Sequence, residues 1–278
     1  MLATTLTGWH QGPVGFVVVV MVPVLFFINR DQDETRRAFV QGNAAAAGYQ
    51  TERIPAIDGH APRFARHHRK VIGGKVGPGT QACFLSHARA WARIAEGSAP
   101  VGLICEDDAR FLRPAAELEP YLAAMAGHDM LWLNDRSVAY RTYGGSDAAD
   151  LLTPLATVWA ATSARPRDLT FPYFSRNLRD LRAPGGDFYA LTQAGARHLL
   201  AEFARDGART DVDCWMFFKA IPAVMARLHW RRFIPRWLAQ AHIAPSEAPL
   251  AAAIVDRPFA STDTRQAGGR VRNAPPVV

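Results

Sequence analysis

Short apolar runs alternate with amphipathic stretches along most of this chain. "VPVLFFIN", "PVGLIC", "DMLWLN" and "DFYALT" are apolar, partly β-branched or aromatic, and too short for buried helices. Such runs predict strands covered on both faces. "YQTERIPAIDG" predicts another short strand, leaving into a turn at Asp58–Gly59. Helical spacing fills the intervals. "DQDETRRAFVQGNAAAAG" starts acidic and ends near Gly48, an order that suits a helix dipole. "TQACFLSHARAWARIAEG" has Thr80 as candidate N-cap and Gly97 as a stop. "PAAELEPYLAAMAG", "QAGARHLLAEFARDG" and "TDVDCWMFFKAI" complete the series. Strands alternating with helices predict an α/β layered fold with a mostly parallel central sheet flanked by helices.

Residues 60–78 are basic and glycine-rich and read as a loop, with His67, His68, Arg69 and Lys70 facing an acceptor rather than a metal. Residues 135–183 show no clear period and read as a long loop region with one or two strands. The polar, Pro/Gly-containing stretch 251–278 is expected to be a mobile tail, which leaves 21–250 as the folded domain. At the other end, "VGFVVVVMVPVLFFI" is short for a membrane span, contains Pro23 and has no positive charge before it. It divides best at Met21, with a core strand after it and residues 1–20 as an extension or a misplaced start; a single N-terminal anchor is the competing reading.

The 278 residues are 49% hydrophobic, enough for a sizeable core, and carry a net charge of +7 with Arg far outnumbering Lys. That balance favours anionic partners without choosing among them. No basic helix with interleaved aromatics and no zinc-finger spacing is present, so a nucleic-acid partner is not expected. Cys83, Cys105 and Cys214 are odd in number, lie far apart and form no CxxC; buried reduced thiols and a cytoplasmic site fit them best.

The chemistry concentrates in "LICEDDARFL", where Glu106, Asp107 and Asp108 follow a buried-looking strand. Three adjacent carboxylates repel one another unless water, a cation or basic groups offset them. In an α/β fold ligands bind where strands end, and hard carboxylate oxygens suit Mg²⁺ or Mn²⁺ bridging to a diphosphate. A solvated turn is the plainer alternative. Ser86 and His87 are neighbours on a helix and do not face one another, and without a GxSxG elbow they make no hydrolase dyad.

Taken together, "CFLSHARAW" followed by an apolar strand ending in "EDD" resembles glycosyltransferase family 25, whose pattern is a G-C-x-x-S-H helix and an I-L-E-D-D strand end. "FFINRDQDETRRAF" (Asn29, Asp31, Arg36, Arg37), "RIPAIDG", "GGDFYALTQAGARHLL" (Gly185, Tyr189, Gly195, Ala196), "TDVDCW" (Asp213) and "PRWLAQAHIAPS" (Gln240, Ser246) are similar to further family segments in the same order. Thr80 stands where the family usually has Glu, Ala82 where it has Gly, and Asp187 and Phe188 where His and Ala are common. The resemblance implies a GT-A-like nucleotide-diphospho-sugar transferase fold and transfer of a sugar, with inversion, to a cell-envelope glycan or glycolipid such as lipopolysaccharide. UDP-galactose is the favoured donor. It also implies Mn²⁺ or Mg²⁺ held by Asp108 with Glu106, and donor contacts from Asn29, Asp31, Arg36, Ser86, His87, Glu106 and Asp107. Inversion requires a carboxylate base, and among Asp187, Asp211 and Asp213 the family position is Asp213, with Asp187 second and Asp211 equally an N-cap. A basic surface would suit peripheral contact with the inner face of the cytoplasmic membrane. A nucleotide- or sugar-binding relative without activity and a membrane-anchored interaction protein are the alternatives.

Overall fold

The computed structural model describes residues 23–74, 76–138, 150–158, 185–220 and 246–262. In chain order these form β1 (Leu25–Asn29), α1 (Glu34–Ala46), β2 (Thr51–Pro55), α2 (Phe64–His68), α3 (Pro78–Ala95), β3 (Val101–Glu106) and β4 (Ala109–Phe111). A 3₁₀ turn, Ala115–Leu118, leads into α4 (Glu119–Ala123), β5 (Met130–Trp132), α5 (Asp135–Val138) and β6 (Leu152–Pro154). After the next described stretch begins come β7 (Phe188–Thr192), α6 (Gln193–Asp206) and α7 (Val212–Lys219), then β8 (Ala252–Val255) and β9 (Ala260–Thr262).

Seven strands make one sheet in the order β2-β1-β3-β7-β5-β8-β6. The pairings set five strands in one direction, with β7 and β6 running against them. The class is α/β with a mostly parallel sheet, as the alternating pattern predicts. Period-two alternation divides the apolar runs between two cores. Phe26, Ile28, Ile104, Tyr189, Trp132 and Ile254 face a layer containing Phe84, Trp91 and Trp215 from α3 and α7. Leu25, Phe27, Leu103, Phe188 and Val255 face the other, which contains Val40 of α1 and Tyr121 of α4. Gly102 lets α3 lie close to β3, because a Cβ there would sit 2.6 Å from Ile94 Cγ1.

α7 is anchored by a buried charge. Lys219 is fully buried and its Nζ reaches Glu202 Oε2 at 2.8 Å and Asp206 Oδ2 at 2.5 Å on α6, while Trp215 Nε1 donates to Asp206 Oδ2 at 3.0 Å. Removing one partner would strand the others without water, so the set fixes α7 against α6.

Three expectations change. The stretch from 251 is not a tail throughout: β8 is buried between β5 and β6, and β9 pairs with β4. Thr80 does not cap α3, which starts at Pro78 after Gly77 with no side-chain cap; Pro lacks the N–H that a cap would satisfy. The basic stretch 60–78 contains α2, with Phe64 buried beneath it. Residues 1–20, the tail beyond 262 and Gln240 lie outside the described residues. Among the described residues no helix is long and apolar enough to cross a membrane.

Ile254 is fully buried, between Trp132 of β5 and Thr153 of β6. Ile254→Ala is expected to cost about 2–5 kcal/mol, seen as a lower urea midpoint at unchanged slope. A mobile segment there would leave the midpoint where it was.

Candidate active site

The parallel strands β1, β2 and β3 end on the same edge of the sheet. β7 runs the other way, so its entry meets the exit of β3: Cys105 pairs with Phe188, and the Glu106 N–H donates to Asp187 O at 3.3 Å. The start of α5 follows β5 to this edge, bringing Arg136 beside Asp187 and Asp213. The acidic triplet and both candidate bases therefore converge where α/β folds bind ligands.

Arg36 is the positive group the triplet calls for. From α1 its Nε lies 3.1 Å from Asp107 Oδ1 and its Nη2 3.3 Å from Asp108 Oδ2. Asn29, buried at the end of β1, donates from Nδ2 to Asp107 Oδ2 at 2.8 Å. Asp108 Oδ1 is buried with no hydrogen-bond partner. Burial, and then the neighbouring Glu106 charge, push the Asp108 carboxyl up to about 7 against the pull of Arg36. Glu106 points the other way, to His87 Nε2 at 3.4 Å. Burial works to raise its carboxyl, but the His87 hydrogen bond, with Arg136 and Arg36 nearby, holds it below its ordinary value.

A second group faces the first. Asp187 Oδ1 accepts from Asn134 Nδ2 at 2.9 Å and from Arg136 Nη2 at 2.5 Å. Asp213 Oδ1 accepts from the Gly186 N–H at 2.6 Å, and its Oδ2 lies 3.8 Å from Arg136 Nη1. Burial raises Asp213 to about 8; Arg136 opposes this, while Glu106 and Asp187 add to it. Asp211 Oδ1 takes the Cys214 N–H at 2.8 Å, so it caps α7. The two glycines are sterically required, since a Cβ at Gly185 would fall 1.5 Å from Arg136 Nη2 and one at Gly186 2.9 Å from both Asp213 Oδ1 and His87 Cε1.

A cavity of about 220 Å³ opens beside the triplet, lined by Asn29, Arg36, Asp58, Ser86, Glu106 and Asp107 among others. Ser86 has both its bonds committed, accepting from the Ile57 N–H at 2.9 Å and donating to Ala82 O at 2.7 Å, so it fixes the strand exit. Two expected donor contacts are not brought to the cavity. Asp31 is exposed and pairs with Arg53 at 2.7 Å, because the turn after β1 points it outward. His87 is fully buried on the face of α3 shared with Phe84 and Trp91. Arg37 also turns away, to Asp31 O at 3.0 Å. Asn134 and Arg136 were not foreseen, although "WLNDR" follows an apolar strand just as "EDD" does.

The profile of glycosyltransferase family 25 (LPS biosynthesis protein) matches residues 22–216, a span that includes every site residue above. The chain belongs to glycosyltransferase family 25. A "Glycosyltransferase 25 family member" of Drosophila pseudoobscura pseudoobscura is 32% identical over 118 residues, covering 37% of this chain and 17% of that relative. This chain thus corresponds to a small part of that protein's length. The apo crystal structure of mouse xyloside xylosyltransferase 1 is similar over 82% of this chain and 83% of that one, at 12% identity and a TM-score of 0.34. So loose a likeness carries no argument; the α/β class rests on the seven-stranded, mostly parallel sheet itself.

The carboxylates make stability depend on pH. Folded, Asp108 and Asp213 keep their protons up to about 7 and about 8; unfolded, both ionise near pH ~4. The folded state therefore binds more protons between these values, and stability falls as pH rises through the interval. Thermal melts of the Asp108→Asn/Asp213→Asn double variant should show a flatter profile, with a gain on the order of a few kcal/mol above pH ~8. Parallel profiles for variant and wild type would refute the assignment.

Proposed function

We propose that this chain transfers a sugar from a nucleotide-diphosphate donor to a cell-envelope glycan, inverting the anomeric carbon. UDP-galactose is the first donor to test and a glycolipid such as lipopolysaccharide the acceptor class. The observation that carries this reading is the gathering of two carboxylate–arginine groups at one sheet edge, Asp107/Asp108 with Arg36 and Asp187/Asp213 with Arg136, the first lining a cavity through Arg36 and Asp107. Membership of the family supports glycosyl transfer in general. Because such donors are made in the cytoplasm, the reading includes a cytoplasmic site, with a glycolipid acceptor met at the inner face of the membrane.

The residues present fit a divalent cation. Asp108 offers a buried, unpartnered oxygen of the hard type that Mn²⁺ or Mg²⁺ accepts. Asp108 is the ligand this reading assigns, and Glu106 is withdrawn from that role because it is turned to His87. When bound, such an ion supplies positive charge against the charge that develops on the departing diphosphate. Arg36 adds a guanidinium on the same side, and Asn29 keeps Asp107 from swinging out of line. The cavity walls take the nucleoside.

Asp213 is the base. The acceptor hydroxyl loses its proton to Asp213 Oδ2 as its oxygen attacks the anomeric carbon and the bond to the diphosphate breaks on the opposite face. Raised to about 8, Asp213 acts as base only in its ionised form, so this role predicts turnover that rises with pH toward about 8. Asp187 stays with Asn134 and Arg136 and holds Arg136 in place beside the base.

Isothermal titration of UDP into the purified protein should show binding with Mn²⁺ that is lost with EDTA and weakened at least tenfold by Asp108→Asn, as expected for a lost charge-assisted contact. Asp213→Asn should keep UDP affinity and lower turnover on a sugar donor by about 10²–10⁴. UDP binding that ignores metal and mutation would remove the triplet's role, and binding without any turnover would favour an inactive nucleotide-binding relative.

A further inference from the structure

His87 lies outside the cavity, yet it is the most completely specified polar side chain near it. α3 sets His87 and Trp91 one turn apart on its buried face, and Tyr189 of β7 points at both. All three are fully buried, and their polar atoms bond one another. Trp91 Nε1 lies 2.8 Å from Tyr189 Oη, Tyr189 Oη 2.9 Å from His87 Nδ1, and His87 Nε2 3.4 Å from Glu106 Oε1. The His87 and Tyr189 rings stack, with centroids 5.9 Å apart at 19°.

Donor and acceptor chemistry allows one assignment in which every group is satisfied. An indole N–H can only donate, so Tyr189 Oη accepts from Trp91. The Tyr189 proton then needs an acceptor, and His87 Nδ1 is within reach. Nδ1 is therefore a lone pair, the ring proton sits on Nε2, and Nε2–H donates to Glu106. With the proton on Nδ1 instead, Tyr189 would receive two donors, its own proton would be stranded, and a lone pair would face a carboxylate.

The same accounting excludes a rival use of these atoms. Cys83 Sγ, His87 Nε2 and Glu106 Oε1 lie within 4.8 Å of one another, close enough to suggest a thiophilic cation. A metal at Nε2 would force the proton to Nδ1 and break the relay at Tyr189.

We propose that His87 is a positioning residue, held as its Nε2–H tautomer by Trp91 and Tyr189, and that it fixes the Glu106 carboxylate on the cavity wall. Glu106 is about a third exposed, with its side chain at 34%. One oxygen is held by the imidazole, and the carboxylate's open face is presented to a hydroxyl of the bound ligand. Only the identity of that ligand as a nucleotide donor rests on the reading above; the tautomer does not.

The test is ¹⁵N imidazole NMR on the full-length protein without ligand, with the His87 signals assigned by their loss in His87→Gln. The wild type should show an Nε2–H, Nδ1-unprotonated ring. Tyr189→Phe, which removes the proton donor to Nδ1, should populate the other tautomer. An Nδ1–H ring in the wild type would overturn the proposal, as would loss of the Nε2–H signal on adding Zn²⁺ at one equivalent, which would give the ring to a metal. Titration of UDP-sugar then separates positioning from packing. His87→Leu should weaken binding on the order of tenfold or more, and His87→Gln, whose amide can still donate to Glu106, should recover most of it. Equal affinity in wild type and His87→Leu would remove the positioning role. Failure of wild type to bind any UDP-sugar would instead count against the donor reading and leave the tautomer result standing.

Discussion

Five carboxylates crowd one edge of the sheet, and the rest of the molecule is arranged around making that tolerable. Glu106, Asp107, Asp108, Asp187 and Asp213 repel one another in a setting with little water. Two guanidiniums, each supplied by a different helix, divide the charge. Arg36 takes Asp107 and Asp108, and Arg136 takes Asp187 and Asp213. Neither removes all of the strain, as the raised protonation of Asp108 and Asp213 records. Such an edge is unfavourable for folding alone and suited to a partner that brings positive charge and a proton to be removed.

The elements around this edge explain why the carboxylates do not share one role. Antiparallel β7 delivers Asp187 to the exit of β3, where an all-parallel sheet would have carried it to the opposite edge. Asp211 is used up as a helix cap, and two residues on, Asp213 turns to the edge, where it accepts the Gly186 N–H. Glu106 is held by buried His87, Asp107 by buried Asn29 and Asp187 by buried Asn134.

Much of this was legible in the chain. The apolar runs marked β1, β3, β5 and β7, because strands covered on both faces leave continuous apolar stretches. The triplet was legible at a strand end, whereas Asn29, Arg36 and Asp213 were reached through the resemblance to family segments. The failures have local causes. His87 entered as a donor contact through the resemblance, but helical phase sends it inward with Trp91. Asp31 stands two residues after Asn29, and a turn in between reverses its direction. Arg136 was overlooked since one Arg after a strand is unremarkable until Asp187 and Asp213 arrive from elsewhere. β8 escaped notice because "AAIV" has little bulk and no alternation, and polar sequence follows it.

β8 carries a consequence for how the protein is made. Strand β5 is complete at Trp132, but its neighbour on one side is Ala252–Val255, near the end of the described chain. During synthesis the sheet stays open along that edge until Ala252–Val255 has left the ribosome, and among the described strands β6 has no other to pair with. Arg136 stands just beyond β5, so the guanidinium that steadies Asp187 and Asp213 gains a firm support only at that moment. A nascent or prematurely ended chain would hold the acidic triplet and the β1–β2–β3 half of the fold but not a finished charge balance. β8 thus acts as a quality mark: the edge is completed only in molecules whose synthesis has passed Val255.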